Sequence, residues 1–149
     1  MKVALGSDHA GFLLKQHLIT FLQTQGHEII DVGAFSLDSV DYPDSAAQVG
    51  NKLQAGEVER GIVVCGSGIG ISIAANKMPG VRAALCHEPV SARLSREHND
   101  ANVLALGERL TTPLMAEEIV KVWLETPFAG GRHQKRIDKI HQLETSHAD

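Results

Sequence analysis

Apolar residues fall in short compact runs that alternate, from one end of the chain to the other, with stretches of helical spacing. Val3–Ser7 is such a run. Phe12, Leu14, Leu18, Phe21 and Leu22 follow it at helical spacing, so a strand leads into an amphipathic helix. Gly26 is placed to stop that helix. His27–Val32 predicts a second strand, and Asp44–Gln54 a modest helix carrying Ala47, Val49, Gly50 and Leu53. Gly61–Val64 lacks any polar position, as expected of a parallel strand covered on both faces. A short helix begins near Gly70 and ends before Met78-Pro-Gly80. Val81–Cys86 gives a fourth strand, Glu88–His98 a helix with Pro89 near its start, and Asn102–Leu106 a fifth strand.

Thr112-Pro113 then opens a long helix, a hydroxyl cap followed by proline at the first helical position. Met115, Ile119, Val122 and Trp123 are its expected buried stripe. The last helix runs from Arg132 to about Thr145. Its apolar positions Ile137, Ile140 and Leu143 predict a face packed on a partner subunit. Five strands, each trailed by a helix, predict an α/β protein: a three-layer α/β/α sandwich with a five-stranded parallel sheet, Rossmann-like in outline. With no repeat, low-complexity tract or linker, residues 1–149 are expected to form one domain.

Composition narrows the class. Hydrophobic residues make up 43% and charged residues 21%, which fits a globular core. A formal charge of −4 argues against a nucleic-acid surface. No apolar stretch approaches a membrane span, and the opening Met-Lys-Val-Ala-Leu reads as a strand rather than a secretion signal. Cys65 and Cys86 form neither a CxxC pair nor a disulfide framework, so a reduced, cytoplasmic setting is expected. Cys86 reads as a small buried hydrophobe.

Candidate chemistry gathers where strands end. In open parallel sheets ligands bind beyond the carboxyl ends of the strands. There the sequence places Asp8 and His9 after strand one, Cys65 after strand three and Glu88 after strand four, and these are expected on one rim. Cys65-Gly-Ser-Gly-Ile-Gly70 sets a thiol just before a turn of free backbone N–H groups. Such amides favour a thiolate and can hold a second anion, either a phosphate or a reacting oxyanion. The turn is neither a dinucleotide fingerprint, a Walker sequence nor a G-x-S-x-G elbow. A glycine turn by itself can also serve only close strand–helix packing.

The other candidates each carry two readings. His98, with Asn99 after it, ends a helix, either as a general acid or base or as a plain helix C-cap with Asn99 left-handed. Arg132 and Arg136, four apart behind Gly130-Gly131, form a phosphate clamp or a solvated basic face. Arg109 adds a third cation or pairs with a neighbouring glutamate. Asp8-His9 binds hydroxyl or phosphate, or caps the first helix. Tyr42 bounds a pocket or only packs a turn. The histidines do not fall at metal-ligand spacing, and no metal is expected.

Taken together, several segments resemble the type B ribose-5-phosphate isomerase family, which also contains allose-6-phosphate and galactose-6-phosphate isomerases. They are Gly6-Ser-Asp-His-Ala-Gly11, Asp41-Tyr-Pro-Asp44, Cys65–Lys77, Ser95–Asn102 and Gly130-Gly-Arg-His-Gln-Lys-Arg136, in that order along nearly the whole chain. The resemblance implies Cys65 as the base and His98 as the group that opens the sugar ring. It implies Asp8 and Asn99 as sugar-hydroxyl ligands and the turn Gly66, Ser67, Gly68, Ile69 and Gly70 as the anion hole, with the Ser67 hydroxyl where many relatives carry threonine. His9, Arg132, Arg136 and Arg109 match phosphate-binding positions. It further implies no cofactor, a small sugar phosphate as substrate, and a homodimer or homotetramer whose sites lie between subunits. Two other readings compete. A nucleotide- or phosphate-binding module explains the turn and the arginines but gives Cys65 and His98 no task, and a thiol-redox protein lacks a nearby resolving cysteine.

Overall fold

The computed structural model describes residues 1–146. Five strands, β1 (Lys2–Ser7), β2 (Glu28–Asp31), β3 (Arg60–Cys65), β4 (Ala83–Leu85) and β5 (Val103–Gly107), form one sheet in the order β2-β1-β3-β5-β4, every neighbouring pair parallel. Six helices accompany them: α1 (Phe12–Thr24), α2 (Tyr42–Gln54), α3 (Ile69–Ala75), α4 (Pro89–Asn99), α5 (Pro113–Glu125) and α6 (Arg132–Thr145). The three-layer parallel architecture is the one expected from the pattern.

Both faces of the strands are apolar because helices cover both. Val3, Leu5, Ile62, Val64, Leu104 and Leu106 face α1, α4 and α5, packing on Leu14, Leu18, Ala92, Ile119 and a fully buried Trp123. Ala4, Val63, Cys65, Val103 and Ala105 face the other way, onto Ala46 and Val49 of α2 and Ile71 and Ala75 of α3. Cys65 thus belongs to the core at its base and to the sheet rim at its sulfur.

The observed elements differ from the expected ones in small ways. α2 starts at Tyr42, with Pro43 in its first turn. β4 keeps only three residues of the expected Val81–Cys86 run, because the amide before it, Arg82 N, donates to the Asn102 side chain instead. In α5 the buried stripe is Ala116, Ile119, Val120, Trp123 and Leu124, while Met115 is exposed. In α6 only Ile137 is buried, and Ile140 and Leu143 are exposed.

Strand order places the site. α1 carries the chain from β1 outward to β2, whereas β3 continues toward the opposite edge, so the order reverses between β1 and β3. That crevice is the switch point at which such sheets take their ligands. Asp8 and Cys65 flank it, since Ser7 pairs with Val64 and the Asp8 amide donates to Val64 O at 3.3 Å.

Candidate active site

At the switch point the chain turns sharply after Cys65. Gly68 adopts φ +77°, closed to most side chains. A Cβ there would lie 2.6 Å from Leu85 Cδ1 and 2.8 Å from the Leu106 carbonyl carbon. The turn points the Gly68 amide back at Cys65 Sγ, 3.1 Å away. Ile69 N donates to Ser67 Oγ at 3.2 Å. The amides of Gly66, Ser67 and Gly70 have no acceptor among the described residues, which leaves three donors at the mouth of the turn. Cys65 is 4% exposed, at the floor, and Ser67 is half-buried.

Neighbouring elements wall this turn. The β5 exit runs alongside it, with Glu108 N donating to Cys65 O and Arg109 N to Gly66 O, both at 3.0 Å. The Arg109 guanidinium lies over Gly66, where an added Cβ would meet Nη1 at 3.1 Å. Arg109 therefore sets a cation beside the free amides of the turn. The expected alternative, an ion pair with a glutamate, is not formed among the described residues: Glu108 instead accepts from Leu14 N at 2.6 Å. The Tyr42 ring covers Gly70, its Cζ 2.6 Å from where a Cβ would stand. Glycine at 66 and 70 is thus a matter of room for Arg109 and Tyr42.

Asp8 does cap the turn His9–Gly11, one carboxylate oxygen accepting from Gly11 N at 3.0 Å, and the residue is buried. His9 Nδ1 lies 3.2 Å from both the amide and the carbonyl of Val40, which ties the 34–41 loop to the same rim. Glu88 stands at the end of β4 and caps α4 through Val90 N and Ser91 N. Asp8, His9, Cys65, Gly66, Ser67, Gly68, Ile69, Gly70 and Glu88, expected on one rim, follow the carboxyl ends of β1, β3 and β4, and Tyr42 and Arg109 lie against the glycine turn there.

The remaining candidates are not at this rim. α4 returns antiparallel to the strands, so its eleven residues carry His98 and Asn99 about 16 Å away, toward the amino ends of β4 and β5. Arg82, just before β4, binds the Asn99 carbonyl through Nε at 3.0 Å and the Asp100 carbonyl through Nη2 at 2.8 Å. The left-handed cap expected at Asn99 falls on Asp100, φ 45°, held by Arg96 Nη1 at 2.8 Å and Arg82 Nη2 at 3.6 Å. Arg132 and Arg136 project from the first turns of α6 beside the same end of α4, where Ala129 N donates to Glu97 O. Neither arginine makes a salt bridge among the described residues. His133, between them, stacks on His98 with ring centroids 4.5 Å apart. From spacing alone His133 bears only on metal ligation, which its separation from the other histidines does not support. Its place between two candidate arginines was the signal available.

One chain therefore carries two separate groups of candidate residues, toward opposite ends of its sheet. The first holds a thiol, hydroxyl, carboxylate and amide donors. The second holds two stacked imidazoles, an amide side chain and two guanidinium groups. A cleft of about 670 Å³ beside the second, between α6 and β4, has Asn99, Arg82, Ile140 and Leu143 on its walls. Among the described residues no three His, Cys, Asp or Glu side chains cluster as metal ligands would, and no helix is long and apolar enough to cross a membrane.

A parallel α/β sheet with a thiol and a turn of free backbone amides at its switch point has the make-up of a small-molecule site of acid–base or nucleophilic character. The comparison with known proteins makes this specific. Residues 3–140 match the family described as Ribose/Galactose Isomerase, and the chain belongs to that family. It is 50% identical to the Escherichia coli K12 protein named ribose-5-phosphate isomerase B, over 143 residues covering 96% of each. The structure of Clostridium thermocellum ribose-5-phosphate isomerase B superposes with a TM-score of 0.98 at 51% identity, covering 99% of this chain and 100% of that one. Ribose-5-phosphate isomerase B from Mycoplasma genitalium, solved with bound ribulose 5-phosphate, gives 0.92 at 41% identity, covering 96% and 95%.

Proposed function

We propose that this protein interconverts ribose 5-phosphate and ribulose 5-phosphate, with Cys65 as the base and no cofactor. The reading is carried by Cys65 Sγ set under the Gly68 amide in the glycine turn, in a chain half identical to a named ribose-5-phosphate isomerase along its length. An N–H directed at sulfur stabilises negative charge there. The Cys65 thiolate takes the proton from C2 of the open-chain aldose and returns it to C1, through an enediolate. The Gly66, Ser67 and Gly70 amides meet the oxyanion, each such donor contributing about 3 kcal/mol in the transition state.

The second group of residues supplies what the rim lacks. His98 protonates the ring oxygen of the closed sugar while Asp8 and Asn99 hold hydroxyl groups. Arg132, Arg136, His9 and Arg109 grip the phosphate and convert its binding energy into alignment of C1 and C2. Because His98 and Cys65 lie at opposite ends of one chain, the working site takes Cys65 from one copy and His98 from another. A two-fold dimer makes two such sites at once. Exposed Phe35, Leu37, Ile69 and Ile73 on the rim, and Ile140 and Leu143 on α6, supply apolar surface for that contact. The setting is the cytoplasm, where sugar phosphates are held.

Incubation with ribose 5-phosphate in deuterated water, followed by NMR, tests the reaction. Ribulose 5-phosphate labelled at C1 is expected. Turnover of allose 6-phosphate or galactose 6-phosphate without turnover of the pentose would replace the substrate.

A further inference from the structure

His133 reaches His98 through a contact that backbone hydrogen bonds hold on both sides. Gly130 and Gly131, at φ +66° and +57°, redirect the chain into α6. Ala129 N donates to Glu97 O at 3.1 Å, and His133 N to Gly130 O at 3.2 Å. The His133 ring then lies 17° from coplanar with the His98 ring, centroids 4.5 Å apart. α4 and α6 meet over few residues, so this stack is a large part of their contact at the candidate site.

We propose that His133 is a positioning residue for His98, its ring a flat stop that fixes the plane in which the His98 imidazole presents a nitrogen to the sugar. The proposal rests on His98 being the ring-opening acid. An imidazole on an exposed helix end rotates freely about its side-chain bonds, and fixing it before substrate arrives removes that cost from the proton-transfer step.

The charge around the stack agrees with this role. The ionisable groups facing His133 are His98 and Glu97 on α4 and Arg132 and Arg136 on α6. Desolvation first, then His98 and the two arginines, hold the His133 pKa below the ordinary histidine value, with Glu97 opposing. A neutral His133 puts no second cation against a protonated His98, so the stack survives the step in which His98 carries its proton.

Paired substitutions test it. His133→Ala removes the stop, and His133→Phe keeps a flat ring with no titrating group. In the intact oligomer, kcat on ribose 5-phosphate is expected to fall about tenfold in His133→Ala with KM within about twofold, and to recover in His133→Phe. The alkaline limb of the kcat pH profile, where a general acid loses its proton, is expected to move only in the alanine variant. Equal impairment of both variants, or wild-type kcat and pH profile in His133→Ala, overturns the proposal. The His98 ring resonances in NMR supply an arm independent of turnover: they are expected to shift in His133→Ala and to stay near place in His133→Phe. Unmoved resonances in His133→Ala overturn the positioning role. Absence of turnover in the wild type would instead overturn the isomerase reading alone.

Discussion

The Gly68 amide stands 3.1 Å from Cys65 Sγ, three residues back along the same turn. One backbone donor thus faces the sulfur while Gly66, Ser67 and Gly70 keep theirs for a ligand. The left-handed Gly68 makes this division possible, because the turn must reverse within two residues against the backbone of Leu106 and Gly107.

Removing the base leaves the binding groups intact. Cys65→Ala is expected to lower kcat on the order of a thousandfold, with sugar-phosphate binding retained. Solvent deuterium should no longer enter the product. Persistent exchange in that variant would take the base role from Cys65.

The turn itself is sterically demanding. Gly68→Ala places a methyl 2.6 Å from Leu85 Cδ1 and 2.8 Å from the Leu106 backbone at a positive φ. The expected loss is roughly 2 kcal/mol, or about 4–8 °C in Tm. Calorimetry showing an unchanged Tm would mean that the turn has other room.

Phosphate contacts act on binding more than on chemistry. Arg136→Ala is expected to raise KM about tenfold or more, with a much smaller change in kcat. An unchanged KM would move phosphate recognition away from α6.

Acid should weaken the start of α4. Hydrogen bonds from Ser91, its hydroxyl first and then its amide, outweigh desolvation and hold the Glu88 carboxyl below the ordinary glutamate range. A depressed carboxyl stabilises the fold above its unfolded pKa, about 4.3. That stability is lost as pH falls through the lower folded value. Tm of the wild type should therefore drop over that acidic window more than Tm of Glu88→Gln. Parallel Tm–pH curves for the two proteins would contradict the assignment.

Much of this was legible in the residue pattern, for identifiable reasons. Gly61–Val64 announces a doubly covered strand because no position is polar, and Thr112-Pro113 announces a helix start, where Thr112 Oγ1 accepts from Met115 N at 3.2 Å. The α5 stripe was misplaced because small Ala116 and Val120 are buried beside Ile119 and Trp123, which turns Met115 outward. At the site, Cys65 and its turn are local and so readable. Tyr42 on Gly70 and Arg109 on Gly66 join distant segments, and spacing alone carries no sign of them. The separation of His98 from Cys65 follows from strand order, which fixes the end of the sheet that each helix terminus reaches.

A site divided between two copies has one direct test, mixing Cys65→Ala with His98→Asn, each inactive alone, by co-refolding. Random pairing makes half the dimers mixed, each with one intact site, so about a quarter of wild-type activity on ribose 5-phosphate is expected. Activity no greater than the sum of the two separate variants, with mixed dimers verified by mass spectrometry, would contradict the shared site.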